Sequence, residues 1–226
     1  MNLASLDVLY EDNHLLAVNK PAGIPTMGAP KGTPTLLSIA KEHIKKKYRK
    51  PGNVYLGVVS RLDTPVTGIL LLARTSKAAR RMTEQFRTHA VEKVYWALVE
   101  GIVKPAAGEC VDYVAPDKRR RRMHIAGGEP AGAKEARLSY QRLQVMGRNS
   151  FLEVILETGR KHQIRIQMSH RGWAIVGDRK YGSRSCWPSG IALHARRLVI
   201  AHPTKGETLQ LDAPLPAGWQ SVNLDG

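Results

Sequence analysis

Apolar residues fall along this chain in short runs of strand length, broken by polar and Gly/Pro-rich turns. Residues 8–10 and 15–18 are two such runs around a polar Glu11-Asp12-Asn13 turn, a pattern that predicts a hairpin ending at Lys20-Pro21. A Gly/Pro-rich loop is expected over 22–34. Leu36, Ala40, Ile44 and Tyr48 then recur every four residues while Lys45, Lys46, Lys47 and Arg49 fall outside that stripe. This spacing predicts an amphipathic helix with a basic flank.

Further strands are expected over 54–59, 68–73, 94–99, 137–145, 151–156, 193–200 and 208–211. Ser76 is placed to cap a helix carrying Ala79, Met82 and Phe86 on one face. Another amphipathic helix is expected to start after Thr158-Gly159. Strands dominate without a regular alternation of strand and helix. The expected fold class is therefore α+β, with a mixed, mainly antiparallel central sheet flanked by a few helices.

The length of 226 residues is compatible with one large domain or two small ones; a single domain over 1–226 is expected. Charge changes the picture most. The chain carries 35 Lys+Arg against 19 Asp+Glu, a formal net charge of +16. Residues 1–113 hold 16 basic and 10 acidic residues, and the remainder 19 and 9. The excess is thus spread through the folded body, and it points to an anionic partner. Its densest stretch is Lys118, Arg119, Arg120, Arg121 and Arg122. Such a run is either a solvated loop or a set of phosphate contacts.

Other chemistries find little support. Cys110 and Cys186 form no CxxC pair, and the eight histidines include no HExxH, so neither a disulfide scaffold nor a metal is expected. GxGxxG and GxxxxGK[ST] are absent, which leaves no nucleotide-cofactor loop to propose. No apolar stretch reaches membrane-spanning length. A cytoplasmic, monomeric protein without membrane contact is expected.

Three segments hold candidate reactive groups. In residues 60–75, Asp63 lies in a polar turn before a very apolar strand, with Arg61 two positions earlier. The carboxylate either holds the turn or carries chemistry. In residues 157–172, Arg160, His162 and Arg165 cluster where a helix starts, a place suited to phosphate or simply to capping and solubility. In residues 93–101, Tyr95 and Trp96 alternate on a strand; one faces the core and the other is available to stack on a base.

Together these segments resemble the RluA-type RNA pseudouridine synthases. Residues 9–23 are similar to that family's opening hairpin, and Arg61-Leu62-Asp63 with Thr67-Gly68 to its catalytic motif. Lys93-Val94-Tyr95 with Ala97 to Gly101 resembles its tyrosine strand. Thr158-Gly159-Arg160, His162 to Arg165, Gly177-Asp178 and Tyr181-Gly182 resemble its third block, and Leu193-His194-Ala195, Leu198 and His202-Pro203 its closing strand. Two positions depart from the pattern: Ser60 stands where the family usually has His, and Val66-Thr67-Gly68 where it usually has Thr-Ser-Gly. The extra S4-type domain of many relatives is not expected.

The resemblance implies isomerisation of uridine to pseudouridine in tRNA, large-subunit rRNA or both, without a cofactor. It assigns Asp63 as the catalytic carboxylate, acting as nucleophile or base, and Arg165 as its guanidinium partner. Tyr95 would stack on the target base, and Arg61 would fill the space left by a flipped uridine. Residues 118–122, Lys45 to Lys47, Arg160, Lys161 and His162 are the candidate RNA contacts. The alternative is a non-catalytic RNA-binding or ribosome-assembly protein on the same fold. It has equal use for the charge but none for a carboxylate facing phosphates.

Overall fold

The computed structural model describes residues 6–128 and 132–219. The chain divides into two compact units, residues up to 91 with 195–215, and residues 92–194 with 216 onward. Among the described residues, eleven strands and three α-helices make the fold α+β, with a mixed, mainly antiparallel sheet, as expected.

In the first unit, β1 (Val8–Glu11) and β2 (Leu15–Lys20) form the expected hairpin. Its turn is fixed by the Asp12 carboxylate, which accepts hydrogen bonds from the His14 and Leu15 amides at 2.8 and 2.7 Å. β2 pairs antiparallel with β4 (Thr67–Ala73), from Leu15↔Ala73 to Lys20↔Gly68. Every residue of β4 is buried. That explains an uninterrupted apolar run in place of alternation, because both faces of the strand are covered. Each buried leucine there contributes about 1.5–3 kcal/mol.

The expected strand over 54–59 shrinks to β3 (Gly57–Val58). Val54 and Leu56 are buried, but without ladder partners. β10 (Leu193–Ala201) pairs antiparallel with β11 (Thr208–Asp212). Leu15, Ala17, Ile69, Leu71, Met82, Leu198 and Ile200 make the core.

Two details of the helices differ from expectation. α1 (Leu36–Lys47) opens on a capping box between Thr35 and Ser38 and buries Leu36, Ala40 and Ile44. Tyr48 falls beyond its last turn and is exposed, so it leaves the apolar stripe; its hydroxyl donates to Glu11 at 2.6 Å instead. α2 (Ser76–Arg87) is capped by Thr75, whose hydroxyl accepts from the Ala78 amide at 3.1 Å. Ser76 is already helical. The buried face consequently runs through Ala78 and Met82, with Ala79 only half-buried.

In the second unit the strand order is β5 (Glu92–Glu100), β9 (Asn149–Leu156), β8 (Lys134–Met146), β6 (Ala107–Asp117), β7 (Arg122–Ala126). All four pairings are antiparallel. The last two strands were not expected from the sequence. α3 (Gln163–His170) covers one face: Ile166 packs against Val114 and Ala136, and Gln167 Nε2 donates to the Cys110 and Ala136 carbonyls at 3.1 and 3.0 Å. The opposite face holds Trp96, Phe151 and Trp219 in edge-to-face contact.

Candidate active site

Asp63 sits in the first unit, half-buried, in an irregular turn just before β4. The backbone on either side of it is pinned. Thr26 Oγ1 donates to the Leu62 carbonyl at 2.9 Å and accepts from the Leu62 amide at 3.3 Å. The Gly23 amide donates to the Thr64 carbonyl at 2.9 Å, and the Val66 amide to the Asp63 carbonyl at 3.0 Å.

Lys20 ties these segments together. Its side chain is fully buried, and its ammonium donates to the carbonyls of Pro21, Ile24 and Thr64 at 2.8, 2.9 and 3.1 Å. An ammonium has three protons, so three carbonyls satisfy it completely. Burial pushes the Lys20 pKa down to about 8, against the pull of the Asp63 carboxylate, which favours the charged form. The sequence marked Lys20 only as the end of a hairpin; its role is visible only once the Thr64 carbonyl folds back onto it.

Gly68 fixes the start of β4. Its φ is +108°, and a Cβ there would lie 2.3 Å from the Ala195 carbonyl oxygen. Only glycine permits that approach. At the two departures from the family pattern, Ser60 Oγ accepts from the Leu71 amide at 3.4 Å and Val66 is buried. Arg61 is exposed.

Tyr95 and Arg165 belong to the second unit. Strand alternation places Lys93 and Tyr95 on one face of β5 and Trp96 on the other. Tyr95 pairs with Val154, which pairs in turn with Tyr140, so Tyr95 shares the face that α3 covers. Trp96 is the aromatic that packs inward, against Phe151 at 5.3 Å between ring centroids.

Arg165 is only 4% exposed. Its Nε and Nη2 donate to Asp178 Oδ2 and Oδ1 at 2.6 and 2.9 Å, a bidentate pair, and its guanidinium lies 5.0 Å from the centre of the Tyr181 ring. Tyr181 Oη in turn accepts from the Met123 amide at 3.0 Å and is hydrogen-bonded to His162 Nδ1 at 2.7 Å. Arg165 thus lies in a buried network rather than on an open helix start. Asp178 and Tyr181 were legible as parts of a motif but not as its supports.

The other basic candidates are spread out. Arg160 Nε donates to the Glu135 carbonyl at 2.7 Å, and His162 caps α3 in a left-handed conformation with φ 56°. Lys161 is exposed. Lys118, Arg119, Arg120 and Arg121 form the exposed tip of the β6–β7 hairpin, and Arg122 opens β7 opposite Asp117. Lys45, Lys46 and Lys47 end α1, with Lys47 bound to Glu11 at 2.8 Å. Among the described residues no group of three His, Cys, Asp or Glu is placed to hold a metal ion, and no helix is long and apolar enough to cross a membrane.

The family model described as RNA pseudouridylate synthase matches residues 14–170, a span that includes Asp63, Tyr95 and Arg165. The chain belongs to the RNA pseudouridylate synthase family. An uncharacterized RNA pseudouridine synthase of Synechocystis sp. is 36% identical over 224 residues, covering 96% of this chain and 68% of the relative. Ribosomal large subunit pseudouridine synthase D of Pseudomonas aeruginosa is 34% identical, covering 93% and 68%. A tRNA pseudouridine synthase C of Pectobacterium carotovorum is 33% identical, covering 96% and 61%. Among solved structures, human RNA pseudouridylate synthase domain containing 4 superposes with a TM-score of 0.78 at 26% identity, covering 93% of this chain and 89% of that one. The α+β fold is that of known pseudouridine synthases.

Proposed function

We propose that this protein isomerises uridine to pseudouridine in tRNA, large-subunit rRNA or both, as a cytoplasmic monomer without a cofactor. The observation that carries the reading is the family match over residues 14–170, a span that includes the pinned Asp63 turn. The whole chain is read as one catalytic domain, since that match draws on both units. Relatives named for large-subunit rRNA and for tRNA both resemble it, so either RNA fits.

The reaction breaks the C1′–N1 glycosidic bond, turns the uracil and forms a C1′–C5 bond; C5 loses a proton and N1 gains one. It is redox-neutral and needs one carboxylate in a site that retains the detached base. In this reading Asp63 is that carboxylate, and its pinned backbone holds it in register for attack or proton abstraction. Arg165 is the guanidinium that the family resemblance assigns to the chemistry, with Asp178 fixing its orientation. Tyr95 stacks on the uracil. Arg61 fills the gap left by the flipped nucleotide, which costs a few kcal/mol to extrude. The hairpin tip at 118–121, Arg122, Arg160, Lys161, His162 and Lys45 to Lys47 hold phosphates.

The test is Asp63→Asn, assayed for pseudouridine in unmodified tRNA and rRNA transcripts alongside a binding titration. Loss of product with RNA affinity within a few-fold of wild type is expected. Wild-type yield from the variant would refute the assignment. A variant and a wild type that both bind RNA without forming pseudouridine would instead favour a pure RNA-binding role.

A further inference from the structure

Lys93 has no part in the chemistry above, yet its setting is unusual for a lysine. It lies two residues from Tyr95 on the same face of β5 and is only half-exposed. Its ammonium donates one hydrogen bond, to the Glu157 carbonyl at 3.2 Å. The neighbouring charge that acts on it is another cation, the Arg160 guanidinium. Neighbouring cations repel one another; the Glu135 carboxylate acts on Arg160, whereas burial and Arg160 are what bear on Lys93. Two such cations are retained economically where an anion arrives to sit between them.

β9 ends in Leu156 and offers the Glu157 carbonyl, while the turn before α3 offers Arg160, whose Nε is already committed to the Glu135 carbonyl. One hydrogen bond leaves two of the three ammonium protons for a ligand. Burial, with Arg160 adding to it, pulls the Lys93 pKa down to about 8, close to where binding of an anion would restore a full charge.

Position supplies the rest. Residues two apart on a strand are separated by roughly 6.6 Å. A base stacked on Tyr95 therefore brings the phosphates of its own nucleotide, or of the next, within reach of the Lys93 side chain.

We propose that Lys93 and Arg160 together form a phosphate-binding site for the RNA backbone beside the nucleotide held by Tyr95. The inference rests on the pseudouridine synthase reading for the placement of the base. It adds a substrate-binding residue on the strand that carries the tyrosine.

The experiment uses the full chain with Lys93→Gln and Lys93→Arg, titrated with unmodified tRNA and rRNA transcripts over a series of salt concentrations and from pH 7 to 9. Circular dichroism and thermal melts accompany each variant. Lys93→Gln should weaken binding about tenfold, as expected for one charge-assisted contact. It should also lower the slope of log K against log salt by about 0.7, the signature of one lost phosphate contact. The loss should fall on KM more than on kcat. Lys93→Arg should keep the slope. Wild-type affinity should fall as pH rises through 8 and beyond, and the Lys93→Arg curve should stay flatter.

An unchanged salt slope in Lys93→Gln would overturn the proposal, even if affinity dropped, because a purely structural lysine changes stability and not the ion count. Parallel pH curves for wild type and Lys93→Arg would overturn it as well. Absence of pseudouridine in the wild-type reaction would refute the activity reading, while the salt slope would still decide whether Lys93 meets a phosphate.

Discussion

Asp178→Asn is the perturbation that most directly tests how the second unit supports Arg165. The wild-type pair is bidentate, with both side chains nearly inaccessible, at 5% and 2% exposure. With charge centres about 4 Å apart and an effective dielectric near 20, the attraction is about 4 kcal/mol. Asparagine keeps the shape and one acceptor but removes the charge. Breaking a buried pair from one side typically costs about 3–5 kcal/mol, a large share of the 5–15 kcal/mol that holds an ordinary domain together.

Urea unfolding at pH 7 should therefore show a loss of about 3 kcal/mol in Asp178→Asn. Single-turnover pseudouridine formation should fall at least tenfold, because the guanidinium loses the carboxylate that orients it. The double variant Arg165→Met/Asp178→Leu should recover much of the stability and none of the activity, since two apolar side chains leave no charge stranded. Stability within about 0.5 kcal/mol of wild type, with a normal rate, would refute the reasoning. So would a double variant whose loss equals the sum of the single losses.

Three further outcomes are expected. The Glu11 carboxylate, though burial raises its pKa, is brought down to about 2 by hydrogen bonds from Lys47, Tyr48 and His43. Against an ordinary 4.5, this contributes about 3 kcal/mol that is present above pH 4.5 and lost as pH falls toward 2; Glu11→Gln should show that deficit in urea melts at pH 7 and little of it at pH 2. Gly68→Ala should cost about 3–5 kcal/mol and roughly 10 °C in Tm, whereas Gly172→Ala, with positive φ but open space, should cost about 1 kcal/mol. Replacing Lys118, Arg119, Arg120 and Arg121 by alanine should weaken RNA binding and lower the salt slope by about 3, with thermal stability unchanged.

The sequence was most legible where burial forces a pattern. β1, β2, β4 and α1 stood out because one face or both must be apolar, and the Thr75/Ser76 cap was misplaced by a single residue because either hydroxyl suits the position. The β6–β7 hairpin was illegible for a physical reason. β7 is the sheet's last strand, most of β6 is not buried, and Pro116 and the arginine run mask the alternation. The overextended strand at 54–59 shows the converse, since apolar burial there is met without a ladder.

Within the candidate site, Asp63, Tyr95 and Arg165 were identified through family resemblance; spacing alone left each with an ordinary structural explanation. Their supports escaped notice because they act across the chain. Lys20 reaches the carbonyl of a residue 44 positions away, and Asp178 meets an arginine 13 positions earlier. No local pattern encodes either contact.

The Lys20 strap also carries a proton count. Charged, the amine has three donors for three carbonyls; neutral, it has two, and one of Pro21, Ile24 or Thr64 must go without. With a pKa of about 8, that shortfall begins only modestly above neutrality. A buried lysine whose three partners are backbone carbonyls thus gives the Asp63 turn its own sensitivity to alkali. As the strap slackens, the turn bearing Asp63 gains freedom, so the single-turnover rate at saturating RNA should fade from lost alignment, separately from any loss of affinity through Lys93.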